Sequence, residues 1–130
     1  MKRLVLDAGV ILGFLEGKFY EAYEGLLNGD VEAYVSSITL AEVKYVLCRK
    51  LGEKRANEVF EKLVNSGLFH VVDVLPEVVN YASECKCRYK IALGDCFTIA
   101  TAKYLGTKAL FREESELKGL NVPEVTFVKE

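Results

Sequence analysis

The chain opens on R-L-V-L-D, a short apolar run over Leu4, Val5 and Leu6 that stops abruptly on Asp7. A run with no polar face has nothing to show water, so an extended segment of this kind is buried on both sides, as the central strand of a parallel sheet is. In open α/β sheets ligands bind in the crevice beyond the carboxyl ends of the strands. Asp7 stands at such an end, and Ala8 and Gly9 leave backbone room beside it. An aspartate in this place also caps a following helix, because its oxygen accepts a free N–H of the first turn. This stretch alone leaves both roles open.

A chain of 130 residues is enough for one domain, residues 1–130, with a true core. With 51% apolar and 28% charged residues it is globular, not disordered. No apolar run approaches the roughly 18 residues of a membrane span. Asp7 falls inside what would be the apolar region of a signal peptide, so the expectation is a cytoplasmic protein with no membrane association. The net charge of −2 argues against a broad basic surface for nucleic acid. It leaves room for a nucleic-acid enzyme, because divalent cations held by carboxylates supply positive charge locally.

The four cysteines are Cys48, Cys85, Cys87 and Cys96. Cys85-Lys86-Cys87 has one intervening residue where structural zinc sites usually have two to four, and the lone histidine, His70, lies in an apolar stretch, so zinc is disfavoured. Cys48 and Cys96 fall among apolar helix positions and are expected as small core residues. A disulfide stays open, because the absence of Gln and Trp beside abundant Lys and Glu resembles the composition of hyperthermophile proteins, which do form intracellular disulfides.

Along the chain, Val10 to Leu15 is a short helical segment closed by Gly17. Phe19 to Leu27 has the spacing of an amphipathic helix, with Phe19, Tyr23, Leu26 and Leu27 on one face, ended by Asn28-Gly29. Glu32 to Ser36 is a candidate strand, and Ser36, Ser37 and Thr39 are helix-start signals for a helix from about Thr39 to Leu51. Gly52 separates it from a second helix, Glu53 to Ser66, whose buried stripe is Ala56, Val59, Phe60 and Leu63. Leu68 to Leu75 has strand composition interrupted by Asp73, and Pro76 starts a helix that runs to about Cys87. Leu93 to Leu105 is a third long helix stopped by Gly106. Lys108 to Phe111 is a strand, Glu113 to Leu120 a polar turn or short helix, and Val125 to Val128 a last strand. Strands alternate with helices, so the expected fold is a three-layer α/β/α domain with a mostly parallel sheet of about five strands.

Most of the nineteen acidic residues lie on polar helix faces, where solvation explains them. Glu42 does not, since Ile38, Tyr45 and Val46 are its helical neighbours and a buried carboxylate without a partner is costly. Either Arg49, two turns on, reaches back to it or a bound cation neutralises it. Asp95 begins a helix that is apolar almost all round, where it is either a cap or a ligand. Glu113 follows the strand Lys108 to Phe111, with Glu114 and Glu116 as competitors. Asp7 and Glu113 at strand ends, with Glu42 and Asp95 near helix starts at the same sheet edge, would form one acidic crevice. Hard divalent cations need such oxygen ligands, and the chemistry implied is hydrolytic phosphoryl transfer.

The stretches L-V-L-D-A-G-V-I-L, S-S-I-T-L-A-E-V, L-G-D-C-F-T-I-A-T-A-K-Y-L-G and A-L-F-R-E-E-S-E-L together resemble a PIN domain over nearly the whole chain. The resemblance is greatest to the small VapC-like ribonucleases, the toxin half of toxin and antitoxin pairs. It places the family's acidic residues on Asp7, Glu42 and Asp95, with the fourth on Glu113 and Glu116 as the alternative. It implies a Mg²⁺- or Mn²⁺-dependent endoribonuclease acting on RNA, a homodimer, and silencing by an antitoxin protein laid across the site. Two departures stand out. The family commonly has Ser or Asn two residues after the first Asp, where this chain has Gly9, so a supporting hydrogen bond is lost or comes from Ser37. The fourth acid is usually introduced by Thr-x-Asp, where this chain has Phe111-Arg112-Glu113.

Other readings compete. A phosphotransferase of the haloacid-dehalogenase type would use Asp7 as nucleophile but needs a second Asp where Gly9 stands. A receiver domain needs a late Lys at a strand end, and Lys108 precedes its strand. A non-catalytic interaction module of the same fold would keep the acids as caps or ion pairs. Tyr20, Tyr23 and Tyr45 are more aromatic surface than one small core consumes, which points to a dimer.

Overall fold

The computed structural model describes residues 2–113 and 116–129. The order of elements is β1 (Lys2–Leu6), α1 (Ala8–Leu15), α2 (Tyr20–Leu27), β2 (Val31–Ser36), α3 (Ser37–Leu51), α4 (Glu53–Val64), β3 (His70–Val72), α5 (Pro76–Arg88), α6 (Leu93–Leu105), β4 (Lys108–Phe111) and β5 (Val125–Phe127). The strands form a single parallel sheet in the order β3-β2-β1-β4-β5. β1 is central, as its unbroken apolar run requires, with Val5 paired to Tyr34 of β2 and to Ala109 of β4.

Side chains alternate across the sheet and feed two cores. Leu4, Leu6, Ala33, Val35 and Leu110 pack on α1, α3 and α4. Val5, Ala109 and Phe111 face the other way, onto α5 and α6. This is the three-layer α/β/α arrangement, with period-two alternation splitting each strand between two apolar layers. α6 is nearly apolar all round because it is sunk in its layer: Cys96, Ala100 and Ala102 are buried on it. Gly106 closes it in the left-handed conformation at φ 68°, a backbone state that costs other residues more.

Several expectations need adjustment. Phe19 is not within α2 but precedes it, in a left-handed conformation at φ 58°. Leu27 is exposed and does not share the packed face of Phe19 and Leu26. The strand expected over Leu68 to Leu75 shrinks to His70–Val72, because it lies at the sheet edge and pairs only with Tyr34, Val35 and Ser36, the last residues of β2. α3 begins two residues earlier than expected, since Ser36 accepts from the Ile38 N–H and caps it. Segment 116–119 is a turn. All four cysteines are free thiols. Cys85 is buried and Cys87 exposed, so the two point to different surroundings and cannot share an ion. Among the described residues no helix is long and apolar enough to cross a membrane.

Candidate active site

The strand order reverses at β1, with β2 and β3 laid on one side and β4 and β5 on the other. A crevice opens at such a switch point, beyond the carboxyl ends of the two strands that flank it. Asp7 is the first residue past β1, and its N–H donates to the Leu110 carbonyl of β4 at 3.0 Å. Its side chain is nearly buried, at 4% exposure. One carboxylate oxygen accepts from the Gly9 N–H at 3.2 Å, so Asp7 does cap α1. The other faces the Thr98 hydroxyl at 3.4 Å. Capping and site roles are compatible because they use different oxygens.

Thr98, on α6, is fully buried and lies 3.2 Å from the hydroxyl of Thr39 on α3, also fully buried. A hydroxyl has one proton, and the charged oxygen of Asp7 is a stronger acceptor than the Gly94 carbonyl, 3.4 Å from the same hydroxyl. Thr39 then donates to Thr98 and Thr98 to Asp7, a chain that joins α3, α6 and β1 at one point.

Glu42 is the sixth residue of α3 and leans across to α6. A Cβ built on Gly94 would lie 2.5 Å from both of its carboxylate oxygens. Gly94 therefore leaves the space that the carboxylate fills. Oε1 of Glu42 is buried and has no hydrogen-bond partner among the described residues. Burial raises its pKa, and the negative charge of Asp7 raises it further. Arg49 does not reach back: it is exposed and forms no ion pair with Glu42.

Asp95 follows Gly94 in the first turn of α6 and is 8% exposed. The cap position of that helix belongs to Ala92, so Asp95 is not its N-cap. The helix dipole favours an anion here. Glu113 stands just beyond β4, but its side chain is half-exposed and pairs with Lys118, whose pKa it raises. Glu116 is exposed on the following turn, and Glu114 lies outside the described residues. Lys108 sits at the amino end of β4, paired with Leu4 and bonded to the Pro123 carbonyl, at the opposite edge from Asp7. That removes the receiver-domain reading.

The structure thus sets Glu42 near enough to Asp7 for the Asp7 charge to raise its pKa, and seats Asp95 next to the glycine that makes room for Glu42. Among the described residues no three His, Cys, Asp or Glu side chains are grouped closely enough to enclose a metal alone. The donor set still suits a hard cation. It is all oxygen, it includes a buried carboxyl oxygen with no hydrogen-bond partner among the described residues, and Mg²⁺ is usually held by one or two carboxylates with waters completing its shell. Thr39, Thr98 and Gly94 escape a reading of the sequence, since threonines and glycines within helices carry no signal of their own. The one hint for Gly94 is its place in L-G-D, where a helix would rather have alanine.

A family model described as PIN domain matches residues 4–120. No curated protein matches the chain in sequence. Among solved structures, the chain is similar to VapBC2 from Rickettsia felis bound to a DNA fragment from its promoter, at 15% identity and a TM-score of 0.77, covering 98% of this chain and 99% of that one. It is similar to a toxin-antitoxin complex from Klebsiella pneumoniae, at 20% identity and a TM-score of 0.69, covering 95% of each. The Mycobacterium tuberculosis VapC20 toxin, described as cleaving the sarcin-ricin loop, aligns at 17% identity and a TM-score of 0.69, covering 94% of this chain and 98% of that one.

Proposed function

The chain belongs to the PIN-domain family, and from that premise we propose that it is a Mg²⁺- or Mn²⁺-dependent endoribonuclease, the toxin of a toxin and antitoxin pair. The observation that carries this reading is the buried Glu42 oxygen beside Asp7 and Gly94, which has no hydrogen-bond partner among the described residues. A carboxylate in that position either stays protonated or exchanges its proton for a cation. Asp7, Glu42 and Asp95 are the residues that would hold the ion. Glu113 is the proposed fourth acid, acting through water from the rim, with Glu116 as its alternative.

Bound there, the cation supplies a water of lowered pKa and offsets the charge that develops on a phosphodiester under in-line attack. The chain's own part is positioning. Thr98 and the Gly9 N–H fix both oxygens of Asp7, so its carboxylate does not rotate. Gly94 leaves Glu42 room to enter, and the first turn of α6 favours the charge of Asp95.

Carrying over the partners named for the similar structures, we propose an antitoxin protein as binding partner and a cytoplasmic setting. A homodimer is proposed on the aromatic surface, where Tyr20 and Tyr45 are exposed at 71% and 62%, while Tyr23 packs against Phe14. Light scattering tests it, and a monomer mass independent of concentration overturns it.

A second reading, an interaction module without catalysis, is favoured by the lack of a closed three-ligand cage among the described residues. Titrating the chain with Mn²⁺ and assaying cleavage of single-stranded RNA separates the two. The nuclease reading expects a stoichiometric Mn²⁺ site and cleavage that Asp95→Asn abolishes while the fold persists. No Mn²⁺ site, or full activity in Asp95→Asn, overturns it.

A further inference from the structure

α1 carries two glycines one turn apart, Gly9 and Gly13, so both open onto one face of the helix. Glycine inside a helix costs roughly 0.5–1 kcal/mol relative to alanine, so a pair of them calls for a reason. At Gly13 the space is taken by the ring of Phe19, which any Cβ would strike. Phe19 delivers that ring from a left-handed backbone at φ 58°, the one described non-glycine residue with positive φ. At Gly9 the space is taken by the stem of Arg112. A Cβ there would lie 2.9 Å from Arg112 Cδ and 3.2 Å from its Cγ. The guanidinium carbon then rests 5.3 Å from the centroid of the Phe19 ring.

Two glycines and one strained backbone thus hold a single cation in place, and the place is informative. The point that the missing Gly9 Cβ would occupy is also 3.5 Å from Asp7 Oδ2. Arg112 therefore passes alongside the Asp7 carboxylate, at the carboxyl end of β4. It forms no ion pair with a described residue, and its contact with the Phe19 ring is through the guanidinium face. A planar guanidinium set face-on against an aromatic ring presents its N–H edge outward, and that edge matches a phosphate in a bidentate fashion. A polyanion approaching a chain of net charge −2 and a crevice of carboxylates also needs a local cation to bring it in.

We propose that Arg112, held by Gly9 and Phe19, binds a backbone phosphate of the RNA next to the scissile bond. The inference rests on the nuclease reading and adds a substrate contact to it. The departure from the family pattern at Gly9 gains a purpose: a side chain there would displace the arginine.

The test is steady-state cleavage of a single-stranded RNA oligonucleotide with Mn²⁺, together with RNA affinity across a salt series. The variants are Arg112→Met, Arg112→Lys and Gly9→Ala. Arg112→Met is expected to raise KM about tenfold with kcat within about threefold. It should also make the slope of log affinity against log salt shallower by about 0.7, the loss of one phosphate contact on a single strand. Arg112→Lys should fall between, keeping charge but not the fork. Gly9→Ala keeps every charge and should move KM in the same direction by pushing the stem aside. A wild type that cleaves, beside an Arg112→Met variant with unchanged KM and salt slope, overturns the inference and leaves the nuclease reading intact. A lowered melting temperature with those two quantities unchanged does the same, since it marks Arg112 as packing alone. A wild type that neither binds Mn²⁺ nor cleaves RNA overturns the nuclease reading, and this inference falls with it.

Discussion

Glu42 of α3 lies against Gly94 of α6, its two carboxylate oxygens filling the volume that any larger residue at position 94 would claim. Gly94→Ala is therefore expected to act at a distance from its own backbone. Alanine improves the helix by about 1 kcal/mol, yet crowding the carboxylate costs about 1–3 kcal/mol. Melting should show little change or a modest loss, while Mn²⁺ affinity by calorimetry falls tenfold or more. Wild-type affinity in this variant would mean that Glu42 does not depend on that space.

The raised pKa of Glu42 has a sign that melting can read. Its ordinary value is 4.5, and the folded value is higher because burial, then Asp7, disfavour the charge. The folded state holds the proton more tightly than the unfolded one, so its contribution to stability is complete below 4.5 and is lost as pH rises through the folded value. In EDTA the wild type should lose stability across that window, and Glu42→Gln should not. At pH 8 without metal the variant should melt higher, by about 1 kcal/mol or roughly 3–5 °C. With Mn²⁺ in excess the order should reverse, because only the wild type gains from binding. Identical pH profiles for the two proteins would overturn this account.

In the proposed reaction Thr98 would act as a positioning residue, through its hydroxyl on Asp7. Thr98→Val removes the donor facing Asp7 and strands the Thr39 hydroxyl, at a cost of about 1–3 kcal/mol. Cleavage should fall about tenfold, and Thr98→Ser should restore most of it. Equal activity in the valine and serine variants would show that the hydroxyl plays no part.

Burial pushes the Cys85 thiol up to about 12 and raises that of its neighbour Cys96 as well. Thiolates are the reactive form, so both should resist alkylation in the native chain. Brief iodoacetamide treatment at pH 8, followed by peptide mass spectrometry, should label exposed Cys87 and spare Cys85 and Cys96. Rapid labelling of Cys85 would show that α5 and α6 part readily.

For the fourth acid, Glu113→Gln should lower the cleavage rate tenfold or more, about 1.4 kcal/mol, and free Lys118 from its pair. The assignment passes to Glu116 or Glu114 if one of their glutamine variants costs that much while Glu113→Gln behaves like wild type.

How far the chain could be read in advance depended on the range of the physics involved. Apolar runs, caps and stops are local signals, and they place α6 and β4 to the residue and β1 at the centre. The short edge strand His70–Val72 is set by what β2 offers for pairing, a fact held 34 or more residues away in sequence. The acids at Asp7, Glu42 and Asp95 stand out because charge among apolar neighbours is conspicuous. Their supports do not, since Thr39 and Thr98 are 59 residues apart and become partners only in the fold. Glycines 9 and 94 are harder still, because what they contribute is empty space, visible only once Arg112 and Glu42 are seen to fill it.

The pairing of β1 with β4 also governs when the crevice can exist during synthesis. Leu4 to Leu6 are made among the first residues, yet their partners are Lys108 to Leu110, and the Asp7 N–H waits for the Leu110 carbonyl. At translation rates of about 5–20 residues per second, roughly 5–20 seconds separate the two ends of that contact. Until β4 has been made, Asp7 has no partner for its N–H on that side, and Arg112, just past β4, is not yet in place. The crevice therefore forms only after β4 has been made and laid beside β1, although the aspartate at its floor is made about a hundred residues earlier.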